Sequence, residues 1–123
     1  KLVWMMDNRL ETNPVIISTL PMADTDDFFS RPGRYGTHNI YENSPGPTWY
    51  HSEDLILATF FNGGMRVFDI SNPFQPKEAA HFVPSLTEGA SSVSVNDVHV
   101  DENEIIYVTD RIKGGLYILE LSI

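Results

Sequence analysis

Apolar residues along this chain fall in short runs rich in Val, Ile, Tyr, Phe and Thr, bounded by Gly, Pro and Asn. The three-to-four spacing of an amphipathic helix is hard to find. The pattern predicts strands over residues 2–6, 15–20, 37–42, 54–60, 65–70, 78–82, 95–100, 104–110 and 116–121. Runs such as "LILATFF" and "LYILEL" are apolar at successive positions, so they suit strands covered on both faces rather than strands with one face in water. Two stretches break the rhythm: 22–36, with "DTDDFF" and "RPGRYG", and 43–51, "NSPGPTWYH". Both are rich in turn formers and are expected to be loops. Connections longer than the usual ~4–6 residues often carry function.

The strand pattern repeats. "DLILATFFNGGMRVFDIS" (54–71) aligns with "EIIYVTDRIKGGLYILELS" (104–122), so that Leu55 meets Ile105, Thr59 meets Thr109 and, after a one-residue insertion, Gly63-Gly64 meets Gly114-Gly115. Asp69 then meets Glu120. Upstream, "HNIYEN" (38–43) sits over "NDVHVD" (96–101), and "VWMMDNRLETNP" (3–14) matches "MRVFDISNPFQP" (65–76), placing Asp7 on Asp69 and Pro14 on Pro76. Each unit reads strand, strand, Gly-Gly hairpin, strand ending in an acid, Pro-bearing turn, strand. The glycines fit tight hairpins that need positive φ, and proline fixes φ where the chain leaves the third strand.

A four-stranded antiparallel repeat of this kind is a β-propeller blade. The expected fold is therefore all-β, a partial propeller of two to two and a half blades, with a β-sandwich as the alternative. Residues 1–21 supply the end of one blade, 37–84 a complete blade, and 95–122 a last blade without its outer strand. A propeller closes with roughly 4–8 blades, so the chain is expected to be a fragment of one domain. Its two end faces are then expected to be covered by self-association or by N-terminal blades, making it something other than a monomer.

The segments "THNIYEN", "LATFFNGGMRVFDISNPFQPKE" and "NDVHVDENEIIYVTDRIKGGLYILE" resemble the C-terminal part of the LVIVD-repeat β-propeller proteins. The resemblance spans nearly the whole chain and implies a propeller. It implies no activity that can be carried to particular positions. Family members tend to end soon after a "GGLYILE" phrase, which implies that Ile123 is near a natural C-terminus; they are also several times longer than this chain.

Charge narrows the partners. Eight Lys and Arg against 17 Asp and Glu give a formal net charge of −9 over 123 residues, which disfavours nucleic acid and anionic lipid. No run approaches the ~20 apolar residues of a membrane helix, so a soluble protein is expected. With no cysteine, disulfides, thiolate catalysis and zinc-thiolate sites are excluded, while the compartment stays open.

Propellers usually bind where the innermost strands and their connections converge. His38-Asn39 and Asn96-Asp97 lie at equivalent strand starts and, with Glu42 and His99, would place hydrogen-bonding and metal-capable groups near one axis. The competing reading is that they hydrogen-bond neighbouring blades and water. His38 and Glu42 sit four apart, roughly 13 Å on a strand, too far to share a metal; a divalent cation would need His38 with Asp97 across blades. Asp110 and Arg111 point to opposite faces, so each is expected to pair with an adjacent blade. Asp7, Asp69 and Glu120 recur and read as turn or interblade acceptors. The unrepeated insert with Trp49, Tyr50 and His51 is either a recognition loop or a plug. Two functions follow: a binding module for a small molecule or protein, and, as the rival, a metal-dependent ester or lactone hydrolase with a channel site.

Overall fold

A computed structural model describes residues 2–22, 25–41, 43 and 45–122. The described chain is all-β apart from one short helix: β1 (Trp4–Asp7), β2 (Val15–Thr19), α1 (Thr25–Ser30), β3 (Leu55–Thr59), β4 (Met65–Asp69), β5 (Lys77–Phe82), β6 (Val95–Val100), β7 (Ile105–Asp110) and β8 (Gly115–Glu120). The strands form three antiparallel sheets, ordered β1-β2, β3-β4-β5 and β6-β7-β8.

Both Gly-Gly hairpins form as the sequence predicts. β3 pairs with β4 from Leu55 opposite Asp69 to Thr59 opposite Met65, and β7 pairs with β8 from Ile105 opposite Glu120 to Asp110 opposite Gly115. The equivalent glycines Gly64 and Gly115 hold φ of 78° and 76°, a left-handed conformation that favours glycine. The repeat extends to irregularities. The β1-β2 ladder slips between Met5 and Met6, and the β4-β5 ladder slips between Val67 and Phe68, the aligned positions. Asp7 and Asp69 each accept the backbone N–H two residues on, from Arg9 at 3.0 Å and Ser71 at 2.9 Å. At Asp7 and Asp69 the recurring acid is thus a turn-forming residue.

The three sheets stack in layers rather than as the two sheets of a sandwich. Alternate side chains of β3 and β4 enter different cores, which is why apolar residues stand at successive positions in these strands. Leu57, Met65 and Val67 join Val95, Val100, Ile106 and Val108 on the side of the third sheet. Ala58, Phe60 and Phe68 join Leu20, with Val3 and Met5 packed against them, on the side of the first.

Three expectations are corrected. Residues 37–41 lie antiparallel beside β3, with Ile40 opposite Ala58 and the amides of His38 and Tyr41 donating to the carbonyls of Thr59 and Leu57, yet form no regular strand. The Asn39 amide donates to Thr59 Oγ1, and this hydroxyl competition interrupts the ladder. Glu42 lies outside the described residues. The stretch 22–36 contains α1, held by packing: Phe28 is buried and stacks on Tyr35. Six residues are too few to write a helical period into the sequence. Finally, β1 runs on to Asp7, β5 takes in Lys77 and β8 starts at Gly115, because backbone pairing rather than apolarity sets strand ends.

Candidate functional site

The side chains singled out in the sequence separate to two ends of the molecule. His38, Asn39, Asn96 and Asp97 gather near the end where the Gly-Gly hairpins turn, whereas Trp49 and Tyr50 dock at the other end of β6. The His38 ring engages the carbonyl of Asn96, while the Tyr50 amide donates to that of Val100. Four residues of strand, roughly 13 Å, separate these two points.

At the hairpin end the polar residues clamp the second sheet to the third. The Asn96 carbonyl accepts from His38 Nδ1 at 2.9 Å and from the Thr59 hydroxyl at 2.7 Å. Because a carbonyl only accepts, Nδ1 carries the proton and Nε2 is left over. The Asp97 carboxylate accepts from the side-chain amides of Asn39 and of Asn96, the latter at 2.6 Å. Both Asp97 oxygens are therefore engaged. Among the described residues no three His, Asp or Glu side chains converge to hold a metal ion. His99 lies at the far end instead. Asn96 Oδ1 is buried without a partner and would take a donor from water or ligand.

The structure adds residues that the pattern did not single out. Phe61, in the β3–β4 turn, is buried and holds φ of 53°, an uncommon conformation for a bulky residue. Its backbone bridges Tyr35 on one side and Val95 on the other. The guanidinium carbons of Arg34 and Arg111 lie 5.9 and 5.4 Å from its ring centroid, and the His38 ring meets it edge-on at 4.7 Å. A sequence signal existed in the failure of "TFFNGG" to repeat as "TDRIKGG". Arg111 accordingly does reach the neighbouring sheet. Asp110 does not: it accepts from the amide of Ser94 at 2.6 Å and of Ile112 at 2.8 Å, with Lys113 and Gly114 close behind, and so organises its own hairpin. Burial pushes its carboxyl up, but the Ser94, Ile112, Gly114 and Lys113 amides outweigh this and hold it below the usual carboxylate range.

Beside Phe61, the Asn62 amide nitrogen donates to the carbonyls of Phe28 and Pro32, leaving its buried Oδ1 unpartnered. Asn62 lines a cleft of about 460 Å³ with Arg31, Pro32, Val83, Leu86 and Val93. Beneath the hairpin, buried Arg66 pairs with Glu78 through Nη1, 2.9 Å from both carboxylate oxygens, and its guanidinium lies 5.1 Å from the Phe28 ring centroid.

At the far end the insert acts as a clasp. Trp49 bridges Asp101, stacks on Tyr41 at 6.2 Å and meets His99 edge-on at 4.8 Å. The Tyr41 hydroxyl lies 3.0 Å from the Tyr50 carbonyl and 2.9 Å from that of Val100. Burial raises its pKa. Asp101 accepts from Asn103, Ile105 and the Tyr107 hydroxyl, and that carboxylate raises the Tyr107 pKa. His51 stays exposed beside this cluster.

Together these features define an all-β chain of stacked antiparallel sheets joined by polar clamps at one end and an aromatic clasp at the other. No family model, curated protein or solved structure matches it. No helix among the described residues is long and apolar enough to cross a membrane.

Proposed function

We propose that the chain is an interaction module of β-propeller type, in which residues 35–41 with β3, β4 and β5 act as one four-stranded blade and the flanking sheets as parts of its neighbours. Its resemblance to LVIVD-repeat proteins agrees with this reading. The partner is a second copy, stacked head to tail so that the sheet-on-sheet packing inside the chain continues between chains.

One observation carries the proposal. Met65 and Val67, which face the third sheet, are 3% and 0% exposed, while their repeat equivalents Leu116 and Ile118 are 56% and 63% exposed. At the opposite end Met6, the equivalent of fully buried Phe68, is likewise exposed, with Trp4 and Ile16 beside it. The two open faces are thus the two halves of a contact that the chain already makes internally, where Met65 and Val67 pack with Tyr117 and Leu119. A heterologous contact of this kind closes into a ring or runs on as an array.

Light scattering across a dilution series tests it. A discrete oligomer that Ile118→Lys converts to a folded monomer is the expected result. A wild-type chain that remains a monodisperse monomer at high concentration refutes the proposal.

A further inference from the structure

We propose that Arg34, Arg111 and His38, arranged around the Phe61 ring, form a binding site for the oxyanion group of a small molecule, a carboxylate or a phosphate. The site is independent of the stacking faces and opens from the hairpin end. A cavity of about 570 Å³ is lined by Arg34, Tyr35, Gly36, Thr37, His38 and Phe61, and Arg111, outside this lining, reaches the same Phe61 ring.

The electrostatics are the first ground. Carboxylates outnumber cations about two to one in this chain, and the arginines elsewhere use them: Arg9 pairs with Asp7, Arg31 with Asp27 and Arg66 with Glu78. Arg34 and Arg111 are exposed and, among the described residues, neither has a carboxylate partner. They come from segments far apart in sequence and nonetheless share one aromatic ring. With their guanidinium carbons 5.9 and 5.4 Å from one ring centroid, the two cations repel each other, which the ring quadrupole offsets only in part. An oxyanion bound at the ring offsets that repulsion.

The second ground is the backbone. Phe61 keeps its left-handed φ because its amide donates to the Val95 carbonyl and its carbonyl accepts from the Val95 and Gly64 amides. Strain held this firmly at a loop tip commonly serves ligand placement. Here it fixes the ring that orders both arginines. The third ground is donor chemistry. Each guanidinium offers a planar fork matched to carboxylate or phosphate oxygens, and His38, with Nδ1 committed to Asn96, has Nε2 for a further oxygen when protonated. The nearest carboxylate in the clamp, Asp97, has both oxygens engaged by Asn39 and Asn96.

The test is a titration of the ¹⁵N-labelled chain with sodium phosphate, sodium acetate or sodium chloride at one ionic strength, following the Nε–Hε signals of Arg34 and Arg111 and the Phe61 amide. Saturable shifts with phosphate or acetate and none with chloride are expected, and the salt that binds more tightly assigns the phosphate or the carboxylate class. Arg34→Gln with Arg111→Gln is expected to weaken binding by about tenfold or more, since charge-assisted forks are the strong contacts, while the remaining amide spectrum stays in place. Because both side chains are exposed, these variants are expected to fold, and Arg34→Lys with Arg111→Lys, which keeps charge but loses the fork, is expected to fall between. Shifts equal in chloride, shifts that survive in the double Gln variant, or no saturable shift with either oxyanion overturn the site. Retention of the oligomer in the double variant separates this outcome from failure of the stacking proposal.

Discussion

Gly64 and Gly115 occupy the same repeat position with nearly the same φ, 78° and 76°, but in different surroundings. A Cβ at Gly64 would lie 2.1 Å from the Phe82 carbonyl oxygen and 2.9 Å from Val83 Cα, whereas one at Gly115 meets nothing within 4 Å. Alanine at either site incurs the left-handed backbone cost of about 1 kcal/mol. Only at Gly64 is there a clash with backbone that cannot rotate away, adding overpacking of roughly 1–3 kcal/mol. It also disturbs the 2.7 Å bond from the Phe60 amide to the Gly64 carbonyl, which closes the hairpin. Gly115→Ala is therefore expected to lose about 1 kcal/mol and Gly64→Ala about 2–4 kcal/mol, out of a typical total of ~5–15. Urea unfolding at one fixed protein concentration, with m-values compared, measures both losses, and holding concentration constant keeps any association from entering the comparison. Equal losses at the two sites would refute the claim that close packing of the β3–β4 turn against residues 82–83, rather than φ alone, requires glycine at position 64.

Glu78→Gln, which strands the buried Arg66 guanidinium, is expected to cost about 3 kcal/mol, whereas Arg66→Met combined with Glu78→Leu costs about 1 or less in the same assay. Asp110 has a folded pKa below its unfolded value, so its stabilisation is complete above about pH 4 and is lost as pH falls through the folded pKa. Asp110→Asn should flatten that part of the acid-side decline in a pH series of urea titrations; an unchanged slope speaks against the bonding of Asp110 to the hairpin amides. Trp49→Ala is expected to lower stability by about 1–2 kcal/mol through the loss of its stacking on Tyr41 and its edge-on contact with His99. An unchanged unfolding midpoint instead favours a recognition loop over the clasp.

The sequence by itself determined the strands, the two Gly-Gly hairpins and the repeat. Each is set by neighbours in the chain: alternation and apolar runs choose extended backbone, paired glycines choose the tight turn, and Asp7 and Asp69 close their turns with amides two residues away. Tertiary structure decided what depends on distant partners. Residues 37–41 carry a strand pattern but lose the regular ladder to the Thr59 hydroxyl. Residues 25–30 carry no helical period but become helix because Phe28 finds Tyr35. The binding candidates divide in the same way. The sequence could place His38-Asn39 and Asn96-Asp97 at equivalent strand starts, since the repeats align there once the eight-residue insert 44–51 is set aside. It could not place Arg34 and Arg111 on one ring, because that meeting depends on the positive φ of Phe61 and on the third sheet packing against the second. Nor could local pattern separate the covered Met65 and Val67 from the open Leu116 and Ile118, which are apolar alike and differ only in whether another sheet lies over them.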